Sequence, residues 1–410
     1  MRLGRARNRR RHSASGPVSG RSFAVVGAGI GGLTAALVLA RQGHAVTLVE
    51  RRTGFAEVGA GLQLSPNASR ILLGLGLGAA LRRVASEPDR VVIRSLRSGR
   101  EIGRIALGSF MRERFDAPYW VVHRADLQTV LLDAVRSLPT IRIVMGRTVE
   151  TVTDGPDRAS LVMESANGAR ESLEADAIIG ADGVWSKIRQ ALGDKAAPTF
   201  RNAIAWRTTI DRLAAPAQLS GNETGLWLGP RGHVVHYPIA GGARINIVAI
   251  EKSTSPVDGW AAPGDRNVIL AHYGSAAPAL RALLGAATEW LRWSLFDHPA
   301  GRFAQGRIAL LGDAAHPVLP FLAQGAALAI EDAAALGSLL QDPQADIPQS
   351  FRAYEAQRRD RARQVQDHAR RNGRIYHAGA LVAFGRDRVI RHLGPEGMVE
   401  RYGWLYGYGG

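Results

Sequence analysis

The pattern that most limits the fold of this chain lies between Phe23 and Glu50. Phe23–Val26 reads as a short buried strand, Leu33–Gln42 as a helix closed by Gly43-His44, and Ala45–Val49 as a second strand ending on Glu50. Gly27, Gly29 and Gly32 fill the positions of a G-x-G-x-x-G turn between the first strand and the helix. The first glycine permits the tight turn, the second lets a pyrophosphate approach the backbone, and the third lets helix and strand pack closely. Glu50 stands where a carboxylate accepts hydrogen bonds from ribose hydroxyls. Arg51 and Arg52 follow it, on the adenine side or in solvent. With all these parts in register, the amino end is expected to form a Rossmann-like dinucleotide site.

The pattern alone does not separate nicotinamide from flavin dinucleotides. The next residues do, because Gly59–Pro66 interrupts the β-α alternation of a dehydrogenase before a helix over Asn67–Leu73. A second signature lies far downstream. Ile308–Leu311 reads as a buried strand ending at Gly312-Asp313, and Pro317 and Pro320 then bar helix. Ala323-Gln-Gly-Ala326 opens a long alanine-rich helix. A carboxylate at a strand end and a glycine at a helix start suit a polar cofactor chain near Asp313 and an electron-rich ring at Gly325 and Ala326. A third strand end, Ala177–Ala181, presents Asp182-Gly183.

At 410 residues, 46% of them hydrophobic, the chain can bury one large core or two ordinary ones. It has no cysteine, which excludes disulfides, thiolate catalysis, cysteine-ligated zinc and iron–sulfur clusters. The net charge of +16 raises nucleic acid as a partner, but residues 1–21 alone carry seven Arg and no acid. They read as a disordered basic arm outside the fold. No interleaving of aromatic and basic residues suggests base stacking, so no nucleic-acid partner is expected. Phe23–Ala40 has the length of a membrane span, yet its glycines belong to the turn and Arg41 follows directly. No membrane span and a cytoplasmic location are expected.

The middle of the chain reads mostly as strands. Val91–Leu107 belongs to a separate sheet, and Leu161–Glu164 with Arg170–Leu173 forms a hairpin around Asn167-Gly168. Asp126 is a cap or first-turn acid for a helix over Leu127–Ser137, and Arg124, just before that helix, can reach a phosphate or a flavin-linked chain. Ala203–Ile250 reads as antiparallel strands. Alternation within His233-Val-Val-His-Tyr237 puts His233, Val235 and Tyr237 on one face and His236 on the other. A His and a Tyr on one face can bind a phenolate or carboxylate and relay a proton. Trp206, Arg207, Trp227 and Tyr237 are candidates to line an aromatic pocket. Phe351–Tyr376 reads as an Arg-rich helix that packs across both domains or contributes to a homodimer.

The glycine turn with Glu50, the central Asp182-Gly183 and the late Gly312-Asp313 together resemble the group A FAD-dependent aromatic monooxygenases, over nearly the whole chain after the arm. Ser65-Pro-Asn-Ala68, His123-Arg-Ala-Asp-Leu127, Ala323-Gln-Gly-Ala326 with Ile330-Glu-Asp-Ala333, and Trp404-Leu-Tyr-Gly-Tyr408 are similar to the branch with salicylate hydroxylase, 3-hydroxybenzoate 6-hydroxylase and 6-hydroxynicotinate 3-monooxygenase. The resemblance implies an α/β fold with α+β elements. In it, a Rossmann-like FAD-binding domain (22–90, 120–200 and 300–345) interleaves with a mainly antiparallel substrate domain (91–119 and 201–299). A C-terminal helical region (346–410) follows.

The resemblance also implies roles. Glu50 binds the FAD ribose, Arg124 the cofactor's phosphate or ribityl region, and Asp313 the ribityl-pyrophosphate part. Gly325 and Ala326 face the pyrimidine end of the flavin, and Asp182-Gly183 serve both FAD and NADPH. His233 and Tyr237 match a His-x-x-x-Tyr pair that touches substrate, and Pro317 and Pro320 shape the loop beside the ring. Pro320 and Phe321 stand where some relatives carry a polar residue that contacts substrate. The implied activity consumes NAD(P)H and O2 and hydroxylates a small phenolic or heteroaromatic acid through a flavin C4a-hydroperoxide. The rival within the same fold is a monooxygenase acting on a non-aromatic ring or alkene, an epoxidase or a urate-type hydroxylase.

Overall fold

The computed structural model of the protein describes residues 20–55, 60–259 and 261–409. All but Gly20 and Arg21 of the basic amino-terminal arm, and Gly59 at the predicted interruption, lie outside these residues. The predicted strand-turn-helix-strand unit forms as Ser22–Val26, Ile30–Arg41 and Ala45–Glu50. Its two strands pair in parallel and join Ile141–Met145 on one side and Ala177–Gly180 with Ile308–Leu310 on the other. An antiparallel edge strand, Ala304–Gln305, completes six strands. Three segments far apart in sequence thus end at the same edge of one sheet, at Glu50, Ala181-Asp182 and Gly312-Asp313. A parallel sheet binds ligands beyond the carboxyl ends of its strands.

The Phe23–Ala40 run is divided between a strand and a helix, and among the described residues no helix is long and apolar enough to cross a membrane. The alanine-rich helix Gly325–Leu340 crosses Ile30–Arg41 at close range. Glycine makes this possible, since a Cβ at Gly337 would lie 2.1 Å from Val38 Cγ1. The helix begins at Gly325, the glycine expected at its start, because Ala323 adopts φ 53°, a left-handed conformation that a helix cannot continue through. Asp126 is the first-turn acid of its helix, as expected, whereas Arg124 opens that helix, Arg124–Arg136, and does not precede it.

Eight strands form the second large sheet, in the order 262–264, 290–297, 199–211, 244–252, 232–239, 224–229, 90–95, 101–106. All pairings are antiparallel except Thr224–Gly229 with Arg90–Ser95, which are joined by a long excursion through the first sheet and not by a hairpin. Register assigns the faces. Trp206, Ala249, Val234 and Trp227 pair in one row across four strands. They point outward into a core closed by helices Arg266–His272 and Pro278–Gly285. The rows of Arg207 with Val248 and Val235, and of Ala205 with Ile250 and His233, face inward.

The helix Ile347–Tyr376, about 45 Å long, straps the two sheets together. Tyr354 donates its hydroxyl to Leu310 O at 2.8 Å on the first sheet, and Arg370 pairs with Asp297 at 2.9 Å on the second. The expected packing across both units is therefore observed. A further helical stretch, Ala380–Glu400, turns at Gly394-Pro395 and lies on strand Glu101–Ala106.

Candidate active site

The glycine turn is built as a cradle. A Cβ at Gly27 would lie 2.4 Å from Ala181 O, and one at Gly32 would lie 1.9 Å from Gly27 O, so both glycines are forced by backbone packing. A Cβ at Gly29 would meet no protein atom within 4 Å. That absence of contact is what a pyrophosphate needs above a helix start. Glu50 Oε2 accepts Ala28 N–H at 2.8 Å and its Oε1 accepts Arg52 N–H at 3.0 Å, fixing the carboxylate at the turn. The Arg51 side chain is exposed beside it. Gln128 Nε2 holds the turn from the other side through Ala28 O at 2.9 Å. Asp182 is committed locally. Its carboxylate accepts from Ser186 Oγ at 2.6 Å and Lys187 N at 2.8 Å, capping the short helix Lys187–Ala191.

Asp313 and Arg124 face the same cleft. Asp313 is open to solvent, yet enough protein surrounds it that burial pushes its carboxyl up, against the pull of His316 and Arg124. Burial likewise lowers the Arg124 guanidinium, against the pull of Asp313. Neither Ile30–Arg41 nor Gly325–Leu340 is capped by a side chain, so both helix starts keep N–H groups for a ligand. An acid and a base in an enclosed cleft, two uncapped helix starts and a bare glycine fit a bound dinucleotide with a ring at Gly325.

Behind this cleft lies a buried polar network that joins the short motifs of the sequence. Ser65 Oγ donates to Asn67 Oδ1 at 2.6 Å, and Asn67 Nδ2 reaches Gln324 Oε1 at 3.0 Å and Glu331 Oε1 at 2.6 Å. Glu331 also pairs with Arg358 at 2.7 Å and with Arg361 through two bonds of 2.6 Å. Asp332 pairs with Arg358 at 2.7 Å and His316 at 2.5 Å, and accepts Gly312 N–H at 2.9 Å. Burial alone would raise Asp332, but His316 and Arg358 hold it at about 2. Tyr408 caps the network, its ring 3.9 Å from the Arg361 guanidinium. Two strap-helix arginines thereby fix both turns of the cleft, Gly312-Asp313 through Asp332 and Gln324-Gly325 through Glu331 and Asn67.

A cavity of about 350 Å³ lies between the inner face of the large sheet, the loop Pro320–Ala323 and the C-terminal helices. Gln63, Tyr119, His233, Val235, Pro320 and Phe321 are in its wall. His233 shares its hydrogen bond with His377, Nδ1 to Nε2 at 2.8 Å, and Phe321 stands edge-on at 5.5 Å between ring centroids. Tyr237 lies on the same face, about 13 Å further along the strand, too far to touch His233. It is set behind Gln63, which accepts from Tyr119 at 2.5 Å, and against Gly61. Pro317 is not in the wall, and its carbonyl anchors the loop to Gln366 Nε2 at 2.9 Å.

One expectation needs correction. Trp206 does not line the pocket, and neither does Trp227. The register turns both to the outer face, where Trp206 stacks edge-on with Trp290 beneath Arg292. Arg207, one residue after Trp206, faces inward instead, with its guanidinium over Trp293 at 5.1 Å. The sequence reading missed Arg358, Arg361, His316 and His377. The arginines were submerged in an Arg-rich helix, and their signal was burial periodicity, since Tyr354, Arg358, Arg361 and Val365 follow the inward stripe.

Residues 22–369 match the family described as FAD binding domain. The 3-hydroxybenzoate 6-hydroxylase of Polaromonas naphthalenivorans is 34% identical over 386 residues, spanning 94% of this chain and 95% of that protein. The chain belongs to the FAD-dependent aromatic monooxygenases. A 3-amino-4-hydroxybenzoate 2-monooxygenase of Streptomyces platensis is 37% identical over 392 residues, spanning 94% of the monooxygenase and 96% of its relative. Among solved structures, HpxO of Klebsiella pneumoniae complexed with FAD and uric acid superposes with a TM-score of 0.82 at 26% identity, covering 94% and 96% of the two chains. A salicylate hydroxylase substrate complex gives 0.80 at 27%, covering 95% and 96%. The monooxygenase uses FAD with NAD(P)H as co-substrate. The rival of a non-aromatic substrate is not favoured, since the hydroxybenzoate enzymes are the nearer relatives in sequence to HpxO's 26%.

Proposed function

We propose that the monooxygenase hydroxylates a small phenolic acid held in the 350 Å³ cavity, with its hydroxyl at His233. The observation that carries this reading is His233 itself. Its Nδ1 is occupied by His377, which leaves Nε2, on the other side of the ring, for a ligand in an otherwise mainly apolar cavity. Arg371, Arg386 and Arg401 place positive charge in the helical wall, which suits a substrate carboxylate. Relatives named for hydroxybenzoates support the same class.

The residues divide the work as follows. Gly27, Gly29, Gly32 and Glu50 hold the adenine half of FAD, and Arg124, Asp313, Gly325 and Ala326 the flavin half. Asp182 supports the turn beside Gly27, and Arg51 lies at the adenine edge. The chemistry supplied by bound FAD is hydride acceptance from NAD(P)H and activation of dioxygen. Pro320 and Phe321 close the cavity beside the cofactor loop and exclude water. His233 accepts the phenolic proton, which makes the ring more electron-rich, and Tyr237 orients the far end of the substrate through Gln63 and Tyr119. Dependence on a soluble nicotinamide reductant supports a cytoplasmic location.

The test is a titration of the FAD-loaded enzyme with 3-hydroxybenzoate and its positional isomers, followed by NAD(P)H oxidation and identification of the product. A hydroxylated phenolic acid, with oxidation lost in His233→Ala, is the expected result. NAD(P)H oxidation that no phenolic acid stimulates refutes the reading.

A further inference from the structure

We infer that His377 is a relay partner of His233, carrying the substrate's phenolic proton out of the cavity to solvent. The inference rests on the reading that His233 meets the substrate hydroxyl. Its own basis is the contact of the two rings, Nδ1 to Nε2 at 2.8 Å with centroids 5.0 Å apart. His233 is 3% exposed, whereas His377 is half-buried where the strap helix ends and the next helix has not begun. The pair therefore runs from the cavity wall to the protein surface.

The proton count closes without a co-reactant. The substrate O–H bond breaks as its proton goes to His233 Nε2. The proton on His233 Nδ1 passes to His377 Nε2, and the proton on His377 Nδ1 passes to water. Both rings end neutral with their tautomers exchanged, and a phenolate remains in the cavity. A lone histidine at this place would have to keep the proton as a buried cation. Burial, then the neighbouring His377, holds His233 well below its ordinary value, so it makes a poor resting place for a charge. His377 is lowered to about 4, by burial and then by Lys252. A relay never leaves the charge on either ring. The other groups around the pair are Tyr376, whose ring lies 5.2 Å from His233, Phe321, and Tyr273, whose hydroxyl bonds Ile250 O at 2.8 Å behind the strand.

The experiment mixes FAD-loaded enzyme with 3-hydroxybenzoate anaerobically, without NAD(P)H, in weak buffer containing a pH indicator. Wild type is expected to release a proton on binding. His377→Phe is expected to slow that release and kcat about tenfold with KM little changed, and added imidazole should restore the rate. His377→Gln serves if the Phe variant does not fold. Unchanged release in a folded His377 variant, slowing that imidazole does not relieve, or no release from wild type would each overturn the relay. His233→Ala separates the two claims. A His233→Ala enzyme as active as wild type removes the substrate reading itself. Loss in His233→Ala with no effect at His377 removes only the relay.

Discussion

Replacing Glu331 with Gln would withdraw one negative charge from between two guanidinium groups that are 0% and 8% exposed. Glu331 takes one bond from Arg358, two from Arg361 and one from Asn67, all between 2.6 and 2.7 Å. The substituted amide keeps the shape but must turn an N–H₂ toward at least one guanidinium. Asp332 then remains to balance Arg358, and Arg361 has no carboxylate left within this network. Removing one partner of a buried pair costs about 3–5 kcal/mol. With an unfolding entropy of roughly 0.8 kcal/mol/K for a chain of this size, that is a fall in Tm of about 4–6 °C if the two sheets melt together. The same bonds position Gln324 ahead of Gly325, so FAD should also dissociate faster. Thermal melting of apoprotein and FAD-loaded protein reads both effects. An apoprotein Tm within about 1 °C of wild type would refute the argument that these arginines fix the cleft.

Gly29→Ala should leave the apoprotein within about 0.5 kcal/mol of wild type, because the added methyl meets no protein atom, yet lose FAD on gel filtration; Gly32→Ala should destabilise even the apoprotein. Gly373→Ala would place a Cβ 2.6 Å from the Phe321 ring and push that ring toward His233. It should raise KM for a phenolic acid several-fold at a stability cost of about 1–3 kcal/mol, and an unchanged KM would show that Phe321 does not bound the substrate. His316 is raised, since Asp332 outweighs the effect of burial. Its stabilisation is complete below its ordinary value near 6.5 and is lost as pH rises through the folded value. Asp332 acts oppositely, stabilising above its ordinary value of 3.8 and failing as pH falls toward about 2. Tm measured from pH 6 upward should therefore decline in wild type and flatten in His316→Gln.

Much of the cofactor end was legible because it depends on local chemistry. A turn that only glycine can make, a carboxylate at a strand end and a proline-blocked loop are written in neighbouring residues, and all three strand ends meet at one sheet edge. Faces within the large sheet were half legible. Alternation placed His233 and Tyr237 together and His236 apart, but which face met the cavity depended on pairing between Trp206, Ala249, Val234 and Trp227, which no single strand discloses. The network around Glu331 was hidden for a similar reason. Its members come from residues 65, 67, 316, 324, 331, 332, 358 and 361, so it exists only once the strap helix has crossed both units. His377 carried no sequence signal, since it is recognisable only by the ring it touches.

The most direct test of the account is the fate of oxygen when purified, FAD-loaded protein turns over NAD(P)H under heavy-isotope dioxygen with 3-hydroxybenzoate and its isomers. The account predicts that one phenolic acid gains a single hydroxyl whose oxygen comes from the gas, in proportion to the NAD(P)H consumed, and that His233→Ala abolishes that product. Hydrogen peroxide as the sole product with every phenolic acid, or a hydroxyl oxygen derived from water, would contradict it.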